Sequence, residues 1–146
     1  MYERSGSDRG AVIVVPVDQK TGRMILVMER SKPEPHYWKF PGGSIDQGDV
    51  DPKRPHDTLR AAHNAARREV KEETGLAVEI LYLGSRTKGS HTQYIFVGLG
   101  DVGHICEMGA EGEIPRVFSA EQTRDLTNFM PSHKAILEMA LKRIMT

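Results

Sequence analysis

Two apolar runs stand near the start of the chain, Ala11–Val17 (AVIVVPV) and Met24–Met28 (MILVM), with the polar segment DQKTGR between them. Short β-branched runs bounded by turn residues predict buried strands, and Gly22 in the connector predicts a hairpin. A proline-punctuated loop (Ser31–His36) follows. The extended piece Tyr37–Gly43 (YWKFPGG) then ends in a glycine pair, and residues 44–56 read as loop, with Gly48, Pro52 and Pro55. Polar-apolar spacing next turns helical, from Asp57 or Thr58 to Thr74. Its apolar stripe is Leu59, Ala62, Ala66 and Val70, and Gly75 sits at the C′ position. AVEILYLGS and TQYIFVGLG predict two further strands, and EIPRVFS a weaker one. Ser119 with Gln122 forms a capping-box pattern for a short helix. Ser132 is expected to cap a final helix with Ile136, Leu137, Ala140, Leu141 and Ile144 on one side, where Met139 and Met145 read as helix packing. The elements lack strict βαβ alternation, so the expected architecture is α/β (α+β), a mixed sheet flanked by helices.

The 146 residues suit one domain, with residues 1–10 as a flexible tail. The 20 basic and 20 acidic residues leave no net charge, which argues against an extended nucleic-acid surface and leaves small acidic ligands open. Seven apolar residues cannot span a bilayer, so no membrane association is expected. Cys106 is the single cysteine. An internal disulfide is therefore impossible, and the expected location is cytoplasmic.

The stretch REVKEETGL (68–76) places Glu69, Glu72 and Glu73 on one helical face. Like charges three or four residues apart cost a helix about 0.2–0.5 kcal/mol per pair. Either a solvated face tolerates that cost or a cation removes it. Just upstream, the glycine pair of FPGGSIDQGD lets backbone approach another group closely. Hard cations such as Mg²⁺ take oxygen ligands, with one or two carboxylates and substrate phosphates completing the shell. Together these features predict a phosphate-handling metal site.

The same residues resemble the signature of the Nudix hydrolases. Arg68, Glu69, Val70, Glu72, Glu73, Gly75 and Leu76 match every fixed position of its second half, and Gly43, preceded by WKFPG, matches the first. Two departures stand out. Asp49 replaces the first glutamate, and 18 residues separate it from Arg68 where the signature has seven. The extra length reads as an insertion loop centred on residues 50–57, because loops absorb length at low cost. The resemblance implies an α/β/α sandwich and a Mg²⁺- or Mn²⁺-dependent hydrolysis of a nucleoside diphosphate linked to another moiety.

On that resemblance Glu72 and Glu73 ligate cations, Glu69 is a ligand or the base that orients water, and the Gly43 carbonyl adds an oxygen. Arg68 braces the carboxylates. Asp49 is an outer ligand or a turn residue, and a loop carboxylate, Glu111 or Glu113, completes the set. Arg30, Lys39 and Tyr94 are candidates to meet substrate, each weighed against an ordinary structural role, and Trp38 is expected to pack rather than stack on a base. Nucleoside triphosphates, dinucleoside polyphosphates, nucleotide sugars and capped RNA ends all remain open as substrates, and a homodimer is left open. The alternative reading is a non-catalytic nucleotide-binding or regulatory module on the same fold.

Overall fold

A computed structural model describes residues 9–144. Residues 1–8 of the expected tail, and Met145, lie outside the described residues. Gly10, assigned to that tail from sequence, is buried, and its carbonyl accepts from the Ile45 N–H at 3.0 Å.

The elements run β1 (Ala11–Asp18), β2 (Met24–Met28), β3 (Gly42–Ser44), α1 (Thr58–Thr74), β4 (Glu79–Lys88), β5 (His91–Gly100), β6 (Ile114–Phe118), α2 (Ala120–Asp125) and α3 (Lys134–Ile144). Strand order is β4-β5-β1-β2-β6, and β3 also pairs with β1. All pairings are antiparallel except β1 with β5. The sheet is therefore mixed, as expected.

β1 is buried on both faces, which explains its unbroken apolar run. Successive side chains point to opposite faces. Val12 and Val14 pack toward α1 with Ile25, Ile45 and Phe96. Ile13, Val15 and Val17 pack toward α3 with Leu26, Phe40, Ile95 and Leu137. Two helical layers thus enclose one sheet.

α1 buries Ala61, Ala62, Ala65, Ala66 and Val70, while Leu59 is 44% exposed. The expected stripe is thereby corrected. Paired alanines bring the helix close to the sheet, and this contact face turns Leu59 outward. Asp57 caps the helix through the Arg60 N–H at 3.0 Å, and Gly75 ends it at φ 82°. Ser132 is not the cap of α3: it lies inside a 3₁₀ turn, Pro131–His133, that leads into the helix. The capping box of Ser119 and Gln122 is formed.

β1 changes partner along its length. Val17 pairs with Met24 of β2, while Ala11–Ile13 pair with Ser44–Gly42 of β3. The segment before β3 bridges the two strands, with the Val14 N–H on the Pro41 carbonyl and Lys39 paired with Val27. This splay brings the glycine pair up against α1.

Candidate active site

The signature helix meets β3 through its glycines. A Cβ on Gly43 would overlap the Glu69 carboxylate, whose farther oxygen lies 3.1 Å from that position. Gly42 donates its N–H to Glu73 Oε2 at 3.2 Å. Its own Cβ would run into the carbonyl of Val12 across the strand pair. Both positions therefore need glycine, one for the fold and one for the approach of a carboxylate.

Burial and mutual repulsion make this carboxylate cluster costly to ionise. Glu73 is 4% exposed. Desolvation first, then the neighbouring charges of Glu69 and Glu113, push it up to about 9, against the Gly42 N–H and Lys39. Glu69 rises to about 7, chiefly by desolvation and with a contribution from Glu72, against the Arg68 charge.

Arg68 organises the rest. Its Nε and Nη2 grip Asp49 at 3.0 and 2.9 Å, Nη2 also donates to the Ser44 carbonyl at 3.1 Å, and Nη1 reaches Glu72 at 3.2 Å. Glu69 and Asp46 complete its surroundings at 3.5 and 3.2 Å. These carboxylates hold the guanidinium firmly protonated. Asp49 also accepts the Asp46 N–H at 2.8 Å and is 5% exposed. In this structure Asp49 therefore braces Arg68 and closes the turn at Asp46.

The loop after β5 closes over the C-terminal end of α1, where backbone carbonyls lack helical partners. Ala110 donates to the Glu72 carbonyl and Cys106 to that of Thr74, both at 2.8 Å. Gly109 fits there because a Cβ would come within 2.8 and 2.9 Å of the Glu73 and Glu72 carbonyls. The same closure separates the two loop candidates. Glu113 is buried, accepts the Glu111 N–H at 3.1 Å and acts electrostatically on Glu73, whereas Glu111 is exposed.

The other candidates fall in three places. Lys39 pairs with Glu29 and lines a cleft of about 250 Å³ with Gly42, Gly43, Lys88, Gln93 and His133. Arg30 is exposed in the turn after β2 and is not among the residues lining that cleft. Tyr94 faces the α1 side, in a separate cavity with Arg9, Thr58 and His91. Trp38 packs edge-on against Phe118 at 5.0 Å.

Sequence reading missed His133. Its Nδ1 accepts the Phe40 N–H at 3.0 Å, and its ring stacks on Phe40. Burial first, then the charges of Lys39, Arg86 and Lys88, lower it to about 3, so the ring is neutral. Only contacts 93 positions apart reveal this role.

Among the described residues, no three acidic, histidine or cysteine side chains are already closed into a metal cage. The donor chemistry nevertheless fits a hard divalent cation. Glu69 and Glu73 sit against a glycine backbone with Glu113 near Glu73, and burial first, then mutual repulsion, suppresses the ionisation of Glu69 and Glu73. Glu72, 44% exposed at its side chain, has room to turn toward them.

A mixed sheet between helices, with this carboxylate-bearing helix set against a glycine strand, defines the Nudix α/β/α class. Residues 7–139 match the NUDIX domain profile, and the chain belongs to the Nudix family. Nudix hydrolases generally use divalent metals. No curated protein sequence matches the chain. Among solved structures, a NUDIX-family hydrolase from Clostridium perfringens shares 18% identity at TM-score 0.68, covering 92% of this chain and 94% of that one. The NUDIX domain of Shewanella oneidensis NrtR, complexed with ADP ribose, shares 16% at TM-score 0.71, covering 92% and 86%. A MutT structure from work on the Aliivibrio salmonicida and Vibrio cholerae proteins shares 16% at TM-score 0.69, covering 92% and 97%.

Proposed function

We propose that the protein is a divalent-cation-dependent pyrophosphohydrolase that cleaves the diphosphate of a nucleotide linked to another moiety. The observation that carries this reading is the packing of Glu69 and Glu73 against Gly42 and Gly43, with Glu113 beside them and Glu72 one turn away. Chains seldom bury mutually repelling carboxylates without a compensating charge.

Glu73, oriented by the Gly42 N–H, with Glu72 and Glu113, would hold Mg²⁺ or Mn²⁺, and the Gly43 carbonyl supplies a neutral oxygen. The cation contributes Lewis-acid neutralisation of phosphate oxygens. Arg68 fixes the helix relative to the loop that carries Asp49. Glu69 takes the proton of the attacking water, for which a carboxylate near neutrality is suited. Water adds to phosphorus in line, and the bond to the bridging oxygen breaks. Lys39, which lines the cleft with Gly42 and Gly43, would meet the departing phosphate. The ADP ribose held by the NrtR NUDIX domain is a nucleoside diphosphate linked to another moiety, the general class proposed here.

The test is phosphate release through a coupled phosphatase, with Mg²⁺ or Mn²⁺ and a panel of nucleoside triphosphates, dinucleoside polyphosphates, nucleotide sugars and capped RNA ends. Cleavage of one class well above the others supports the reading. Calorimetric metal binding with no cleavage across the panel supports a binding module instead.

A further inference from the structure

The cleft beside the glycine pair continues into a groove of about 340 Å³ along the β4–β5 hairpin, sharing Ala11, Lys88 and Gln93 with it. Among the described residues, no carboxylate lines either space. Strand register explains what gathers there. Gln93 lies opposite Arg86 and next to Ala11, two residues before Ile95, which packs toward α3. Gln93 and Arg86 therefore share the α3 face with Lys88.

Arg86 is only half used. Its Nε donates to Gln93 Oε1 at 2.8 Å. Its Nη2 is, among the described residues, the one buried side-chain polar atom without a hydrogen-bond partner. Leaving a guanidinium donor buried and unpaired is costly, and a charged acceptor relieves that cost more fully than a neutral one. Lys88 is exposed at the hairpin end. Lys39 and Lys88 line the cleft with His133, and the charges of both and of Arg86 act on that ring. Lys39 is matched by Glu29, whereas Lys88 lines the cleft with no acidic partner in its lining among the described residues, and Arg86 stands behind Gln93 at its wall.

We propose that Arg86 and Lys88, with Gln93 orienting the guanidinium, form a subsite for a phosphoryl group on the part of the substrate remote from the hydrolysed bond. The preferred substrate is then anionic beyond its pyrophosphate, as a phosphomonoester or a longer polyphosphate chain, rather than ending in a bare nucleoside or neutral sugar. A planar fork beside a flexible ammonium is the pairing proteins use for phosphate. The word substrate rests on the hydrolase reading, whereas the anion subsite is measurable without it.

The experiment is calorimetric titration of the protein with inorganic tripolyphosphate in EDTA, which removes any divalent metal ion that could bridge the anion to the carboxylates. Wild type is expected to bind, and Arg86→Gln and Lys88→Gln should each weaken binding about tenfold, as loss of a charge-assisted hydrogen bond implies. Lys20→Gln, at the far β1–β2 turn, serves as the charge control and should leave affinity unchanged. Lys88 is exposed, so its variant reports on charge without risking the fold. Absence of binding, or equal affinity in all four proteins, would overturn the subsite. Charge-dependent binding alongside a silent phosphate-release panel keeps the subsite and removes the hydrolase reading. Turnover with no binding in EDTA does the reverse.

Discussion

Arg68 closes both prongs of its guanidinium on Asp49, Nε at 3.0 Å from Oδ1 and Nη2 at 2.9 Å from Oδ2. The pair ties together the two ends of the 18-residue segment that separates them in sequence. Closing a flexible loop costs entropy that grows only slowly with length. A bidentate pair at its neck lets the insertion extend into solvent while the glutamates of α1 stay in place. Asn64 strengthens the neck by donating to the Asp49 carbonyl at 3.0 Å.

Removing this neck should loosen the fold as well as the site. Asp49→Ala leaves Arg68 without its main partner in a partly enclosed position. Breaking a pair of this kind costs about 2 kcal/mol or more after allowing for the remaining exposure of Arg68. Urea unfolding should show that loss. Asp49→Glu, which the family signature alone would favour, should also lower stability, because an added methylene disturbs the turn closed on the Asp46 N–H. An unchanged unfolding midpoint for both variants would contradict the clamp.

Glu72→Gln removes a ligand charge from a half-exposed position. Turnover should fall by about a hundredfold or more, corresponding to about 3 kcal/mol of lost transition-state stabilisation. The thermal midpoint should hardly move. A rate near wild type at saturating Mg²⁺ would remove Glu72 from the site.

The two glycines separate fold from chemistry. A Cβ at Gly42 meets the backbone of Val12, which cannot move without parting β1 from β3. Gly42→Ala should therefore destabilise the protein. A Cβ at Gly43 meets only the end of the Glu69 side chain. Gly43→Ala should keep the fold and lose metal affinity by displacing that carboxylate. Circular dichroism melts and metal titration distinguish the two outcomes.

Both raised carboxyl groups make a pH prediction. Glu69 rises to about 7 and Glu73 to about 9, from an ordinary 4.5. Between these values the folded chain holds protons that the unfolded chain has released. Stability in EDTA should be highest near or below pH 4.5, as far as these two groups decide it, and should fall as pH rises toward 9. Mg²⁺ or Mn²⁺ should flatten the slope at the upper end, because cation binding favours the ionised forms. Thermal melts from pH 5 to 9, with and without cation, provide the check. A slope in EDTA unchanged by Glu73→Gln would refute the assignment to this pair.

Much of this molecule is legible in one dimension because its causes are local. The β-branched runs specify β1 and β2, Asp57 and Gly75 bracket α1, and the spacing of Glu69, Glu72 and Glu73 puts them on one helical face. The glycine pair marks a close backbone approach in sequence, while what approaches, Val12 at one position and Glu69 at the other, is seen only in the fold. Leu59 shows where periodicity stops being sufficient: its spacing suits the stripe, and the tight seating of the alanines on the sheet turns it outward.

Other properties depend on chain segments that meet only after folding. Glu113 rather than Glu111 joins the cluster because the loop after β5 is anchored on the end of α1. Asp49 braces Arg68 because an insertion returns to its own starting point. His133 supports Phe40 from the far end of the chain. Arg86, with a nitrogen left unpaired, meets the cleft-lining Gln93 only because strand register sets the two opposite each other. Spacing along a helix or strand fixes which side chains share a face. Which faces meet is decided by packing and loop closure between distant segments, and these are properties of the tertiary structure.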